Sequence, residues 1–159
     1  MKVLFLDIDG PLVTVGSMIH TNRQKLLGLT DKLSHKAFDP IAASNLQYIL
    51  EEVPGIEIVI SSTWRKLYTL EALQEIFSEY NISPSFIVGV TPVLESRYRG
   101  QEIELYLKHN PEITNFVIID DDSDMEPYMD RLVKVDGKNG LTFSDAEKII
   151  QKFGENNEK

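Results

Sequence analysis

Residues 1–12 read MKVLFLDIDGPL, and the passage from Val3 to Asp9 decides what kind of sheet the chain builds. Val3 to Leu6 are apolar without interruption, as in a strand covered on both faces. Asp7 and Asp9 follow two residues apart, so in extended geometry both carboxylates lean toward the same side. Like charges that close repel, and they are costly to desolvate unless a cation or a shared proton relieves them. The strand ends on a site that needs a partner.

Four more apolar runs read as strands: IEIVIS (56–61), SFIVGV (85–90), NFVIID (115–120) and RLVKV (131–135). Their Val and Ile content suits a parallel sheet buried on both faces. Helical patterns lie between them. Asp39 and Pro40 form an N-cap and N1 pair opening a helix with apolar Ile41, Leu46, Ile49, Leu50 and Val53. Thr69 to Tyr80 carries Leu70, Leu73, Ile76 and Phe77 on one face, and Gly100 to His109 is a shorter helix. Ser144 with Glu147 spells a capping box for a last helix through Phe153. This alternation predicts an α/β fold, a Rossmann-like doubly wound and mainly parallel five-stranded sheet.

At 159 residues the chain fits one domain, taken as residues 1–153 with a small insert or flap over 13–38 and a frayed polar tail over 154–159. Asp7 and Asp9 interrupt the only candidate signal-peptide core, and no apolar run approaches membrane-spanning length. With no cysteine there is no disulfide, thiol nucleophile or thiolate metal site, and the default location is cytoplasmic. The formal net charge of −9 argues against a broad basic face for long nucleic acid.

In doubly wound sheets the site lies at the carboxyl ends of the strands. Here those ends carry Asp7 and Asp9, then Ser61 and Ser62, then Asp120, Asp121, Asp122 and Asp124, with Arg65, Arg97 and Arg99 in adjoining stretches. Acids and serines after strands often only cap helices. Three such stretches at strand ends in one short chain point instead to a shared crevice. Oxygen-only ligation with room for water is what Mg²⁺ prefers, and a cation would let Asp7 stay ionised beside other carboxylates.

DIDGPL, VISS and VIIDDDSD, in this order, resemble the first, second and fourth motifs of the haloacid dehalogenase superfamily of phosphotransferases. More narrowly, SSTWR, RGQEI and IIDDDSDM resemble the small phosphatase-like domains of RNA-repair proteins. The resemblance implies that Asp7 attacks phosphorus to form an aspartyl-phosphate, and that Asp9 protonates the leaving oxygen and then activates water. It implies that Ser61, beside Ser62, binds a phosphoryl oxygen. Mg²⁺ would be held by Asp7, Asp9 through its backbone carbonyl, and Asp120, with Asp121 or Asp124 in support. Two departures stand out. Pro11 occupies a position where the family usually has Thr or Val, and no Lys stands in an obvious third-motif place. Arg99 is the first choice for that base and Arg97 the second.

The insert is too short for a large covering domain, so the site is expected to be open, favouring a macromolecular end over an enclosed metabolite. The insert is locally basic, with His20, Arg23, Lys25 and Lys36, which suits a polyanion. Trp64 and Arg65 follow the second motif directly and are expected to touch substrate, one stacking on a base and the other gripping a phosphate. His20, His35 and His109 have no metal-site spacing and read as flap or surface residues. The expected partner is a phosphorylated substrate, a nucleic-acid 3′ or 5′ end or a nucleotide, and no membrane. The alternatives are a phosphatase for small metabolites or phosphoproteins, and a non-catalytic phosphate-binding module.

Overall fold

Val3 to Leu6 lie in the middle strand of the sheet, which is why both faces of that run are apolar. The computed structural model describes residues 1–33 and 36–157, the side chain of Asn157 excepted; the readings of His35 and of the last two tail residues lie outside them. Five strands, β1 (Lys2–Leu6), β2 (Ile56–Ile60), β3 (Ile87–Val90), β4 (Asn115–Asp120) and β5 (Leu132–Lys134), form one sheet in the order β3-β2-β1-β4-β5. Every pairing is parallel.

Successive side chains leave a strand on opposite faces. Leu4 and Leu6 therefore join a core with Leu46 and Ile49 of α2 (Pro40–Glu52), Leu73 and Phe77 of α3 (Leu70–Ser78), and Ile149 and Phe153 of α5 (Phe143–Asn157). Val3 and Phe5 join a second core with Ile103 of α4 (Arg99–His109). The sheet is covered on both faces, as an all-parallel sheet requires.

Asp39 caps α2, accepting the Ile41 and Ala42 N–H groups, and Thr69 caps α3. Ile41, counted among the apolar positions of α2, is exposed on the first turn, where Ala42 and Ala43 take the buried face instead. The last helix starts differently from expectation. Thr142 and Asp145, not Ser144 and Glu147, exchange the reciprocal capping bonds, each at 3.1 Å. Both pairs have the same spacing, and the chain uses the earlier one. Nor does the helix stop at Phe153: it runs to Asn157, tethered where Asn156 Nδ2 donates to the Phe116 carbonyl of β4 at 3.3 Å.

The expected flap contains a helix, α1 (Val15–Leu26), capped by a Thr14–Ser17 box. Its buried residues are Ser17 and Thr21, while Val15, Ile19 and Leu26 are exposed. The insert then returns to the body. Phe38 stacks on Tyr80 with ring centroids 4.4 Å apart, and Lys32 Nζ donates to the Tyr80 hydroxyl at 2.8 Å. Lys32 and Lys36 also lie over the rings of Tyr80 and Tyr68, so part of the insert's positive charge is already engaged.

Candidate active site

Register builds the site. Leu6 of β1 pairs with Ile60 on one side and Ile119 on the other, so Asp7 falls level with Ser61 and Asp120. The ladder continues through these residues: the Asp7 N–H donates to the Ile119 carbonyl, and the Ser61 N–H to the Leu6 carbonyl, both at 3.0 Å. By strand parity the three continue the rows of Phe5, Val59 and Ile118, on the face covered by α4. Arg99 is the first residue of that helix, and its Nε lies 3.9 Å from Asp120 Oδ2.

The carboxylates crowd. One oxygen from each of Asp7, Asp120 and Asp121 lies within 4.8 Å of the others. Burial pushes the Asp7 carboxyl up to about 9, and the charge of Asp120 adds to this; Arg99 and the Ile8 N–H, which donates to Asp7 Oδ1 at 2.9 Å, oppose it. Asp120 rises to about 6, again chiefly by burial, while the Asp122 N–H on its Oδ1 and Arg99 pull the other way. Gly10 makes the close approach possible. Its φ is +103°, and a Cβ there would sit 2.6 Å from the Asp121 carboxylate.

This donor set fits a hard divalent cation. It is all oxygen, Asp120 Oδ2 is buried without a hydrogen bond among the described residues, and Asp121 is exposed, so water can complete a shell. The pKa directions make a prediction with a definite sign. Both carboxyls hold protons more tightly in the folded chain than in the unfolded one. The stability this confers is fully present below about pH 4 and is lost as pH rises through about 6 for Asp120 and about 9 for Asp7. Melting curves of metal-free protein should therefore show Tm falling from pH 5 to pH 9. Added Mg²⁺ should raise Tm more at pH 8 than at pH 5, because it competes with protons. A Mg²⁺ effect independent of pH would place the ion away from these carboxylates.

The remaining expected residues divide. Ser61 is fully buried and its Oγ has no hydrogen-bond partner among the described residues, a donor left over for a ligand. Ser62 Oγ instead accepts the Trp64 N–H at 3.2 Å, capping the short 3₁₀ turn Thr63–Lys66. Of the two arginines, Arg99 enters the site, with Nη1 buried and unbonded, whereas Arg97 is exposed with φ +59° and has no ion pair among the described residues. Of the two acids expected in support, Asp121 joins the cluster. Asp124 caps α4, its Oδ2 accepting the Arg99 N–H at 3.1 Å and its carbonyl the Gly100 N–H at 2.9 Å. The side chain of Asp9 also lies outside the three-carboxylate group; its Oδ1 accepts the Trp64 indole N–H at 3.1 Å.

Trp64 and Arg65, expected to touch substrate, have their side chains buried in this structure. Trp64 is only 5% exposed, its ring tilted against those of Phe38 and Tyr68, and so offers little surface for a base to stack on. The Arg65 side chain is 2% exposed and engaged inside the protein: it donates to the carbonyls of Thr91, Ser62 and Pro92 and pairs with Glu102 at 2.8 Å. Glu102 was not legible as a site-building residue. It stands in the first turn of α4, where an acid is ordinary, and only its burial reveals it. Gly100 was the available signal, since a Cβ there would overlap the Met125 and Glu126 carbonyls, marking the tight seating of α4 on the Asp124 loop.

Among the described residues no helix is long and apolar enough to cross a membrane. No curated protein and no solved structure matches the chain. A family model does, and its description is the HAD domain in Swiss Army Knife RNA repair proteins. The match runs over residues 3–146, taking in all five strands, the acidic strand ends and Arg99, and the chain belongs to that family.

Proposed function

We propose that the chain is a Mg²⁺-dependent phosphomonoesterase that works through an aspartyl-phosphate and acts on the phosphorylated end of a nucleic acid. The observation that carries the reading is the level row of Asp7, Ser61 and Asp120 under Arg99, four groups of the kinds phosphoryl transfer needs. An Asp7 carboxylate oxygen bonds to phosphorus as the bond from phosphorus to the leaving oxygen breaks, and Asp9 gives that oxygen its proton. Asp9 then takes a proton from the water that attacks the acyl phosphate, which releases inorganic phosphate and restores Asp7. The Ser61 hydroxyl and the Arg99 guanidinium bind phosphoryl oxygens throughout. A cation held by Asp7, Asp120 and Asp121 supplies the positive charge that lets a carboxylate approach a phosphate dianion.

Two observations support a macromolecular end over a small enclosed metabolite. Asp9 and Asp121 are exposed, so the cluster opens directly to solvent. The family description names RNA repair proteins. The net charge of −9 disfavours tight binding along a duplex, which leaves recognition to the end itself.

One panel tests the reading: phosphate release from 3′- and 5′-phosphorylated oligonucleotides, nucleotides, sugar phosphates and a phosphopeptide, each with Mg²⁺ and with EDTA. Oligonucleotide ends should exceed sugar phosphates by about tenfold or more in kcat/KM, about 1.4 kcal/mol, and EDTA should abolish release. Full turnover by metal-free protein defeats the metal dependence. Preference for sugar phosphate or phosphopeptide replaces the substrate class, and inactivity on every substrate overturns the phosphatase reading.

A further inference from the structure

Asp9 is the one group the mechanism asks to move protons, and it is exposed on a turn rather than held in the buried row. An exposed aspartate ordinarily samples several rotamers. Its backbone is fixed by the bridge between Asp9 and Val13 and by the Gly10 N–H bond to the Val13 carbonyl at 3.0 Å, but neither restrains the carboxylate. The restraint comes from Trp64. The indole N–H is a donor only, and it meets Asp9 Oδ1 at 3.1 Å.

Trp64 is itself immobile. Its ring is buried against Phe38 and Tyr68, its backbone N–H donates to Ser62 Oγ, and its carbonyl accepts the Leu67 and Tyr68 N–H groups at 3.0 and 2.9 Å. A rigid donor on the turn after β2 thus grips one oxygen of Asp9 and leaves the other, Oδ2, outside that bond.

We propose that Trp64 is a positioning residue for proton transfer by Asp9, orienting that carboxylate through its indole N–H rather than touching substrate. The inference rests on the phosphatase reading for its kinetic consequence, but not for its geometry. A buried tryptophan kept only for packing would need no N–H, and Trp64→Phe would then cost stability alone. A positioning role has a different signature. Transfer of phosphate to Asp7 from a good leaving group such as p-nitrophenol needs little proton donation, whereas alkyl leaving groups and hydrolysis of the phosphoenzyme depend on Asp9.

Rapid-quench kinetics of Trp64→Phe should therefore show the p-nitrophenol burst slowed about threefold or less. Turnover of a 3′-phosphorylated oligonucleotide should fall about 10- to 100-fold, a part of what general acid–base catalysis provides. An equal fall in both, or in neither, overturns the proposal. A second measurement needs neither catalysis nor that variant. Trp64 is the only tryptophan in the chain, so ¹⁵N-labelled protein gives a single indole cross-peak. In Asp9→Ala the hydrogen exchange of that peak should accelerate about tenfold or more, as expected when the acceptor is lost. Unchanged exchange means the bond is absent in solution, and the inference falls whatever the enzyme does. Inactive wild-type protein that keeps the exchange effect would overturn the phosphatase reading and the catalytic role together, while leaving the contact standing.

Discussion

Asp7→Asn is expected to lower kcat by about a thousandfold or more, the scale on which losing a nucleophile acts. The amide has no oxygen that can bond to phosphorus and then be regenerated by water, and it would weaken the proposed cation site with Asp120 and Asp121. Loss of activity alone would not separate chemistry from misfolding, but stability does. Burial and the charge of Asp120 hold the Asp7 carboxyl protonated up to about pH 9 in the metal-free chain, so ionising it works against the fold. A neutral amide imposes no such penalty. Metal-free Asp7→Asn should melt at or above the wild-type temperature at pH 8 and should lose most of the stabilisation by Mg²⁺. Near-normal turnover in a clean preparation, or an aspartyl-phosphate trapped on any other carboxylate, would refute the covalent mechanism.

Arg65→Ala should be among the most destabilising single substitutions in the chain, by about 3–5 kcal/mol, the usual cost of stranding one partner of a buried ion pair. Glu102 would keep its charge with its side chain 4% exposed and only the Leu94 N–H, at 2.9 Å, still satisfying it. The carbonyls of Thr91 and Pro92 would lose the guanidinium donor as well, while that of Ser62 would keep only the backbone N–H of residue 65, at 3.1 Å. In a domain of this size the loss corresponds to a Tm lower by about 6–20 °C. Arg65→Met with Glu102→Leu should recover much of it, because removing both charges also removes the desolvation cost. Urea melts of the single and double variants measure this directly. If Arg65→Ala changed stability by less than about 1 kcal/mol and raised KM instead, Arg65 would be a substrate contact after all.

The buried pair also explains why SSTWR and RGQEI belong together. Arg65 lies on the turn after β2 and Glu102 on the first turn of α4, three residues beyond Arg99. The segment read as a substrate grip ties the turn after β2 to the first turn of α4, the helix that begins at Arg99.

The continuous runs at Val3–Leu6, Ile58–Ile60 and Phe116–Ile119 were legible as strands because a strand buried on both faces has no polar alternation to blur it. Asp39 and Thr69 were legible as caps because capping is local, decided within three residues. Helix α1 was not legible, since it buries Ser17 and Thr21 and turns Val15, Ile19 and Leu26 outward, the reverse of the pattern by which a surface helix is recognised. The start of α5 was ambiguous for another reason: two capping boxes of equal spacing stand two residues apart, and local spelling does not rank them.

From the amino-acid sequence alone came the parallel sheet, the acidic strand ends and the family resemblance, all properties of short stretches whose physics is complete within a few residues. The tertiary structure decided which polar side chains meet. It brought Asp121 rather than Asp124 to Asp7 and Asp120, chose Arg99 over Arg97, buried Arg65 against Glu102, and turned Trp64 from a presumed stacking platform into a donor to Asp9. Residue type cannot settle these choices, because an arginine or a tryptophan serves equally well at a surface or inside. Which it does depends on burial, and burial at Trp64 and Arg65 is imposed by Phe38 and Glu102, far away in the chain and adjacent only once the sheet and its helices have packed.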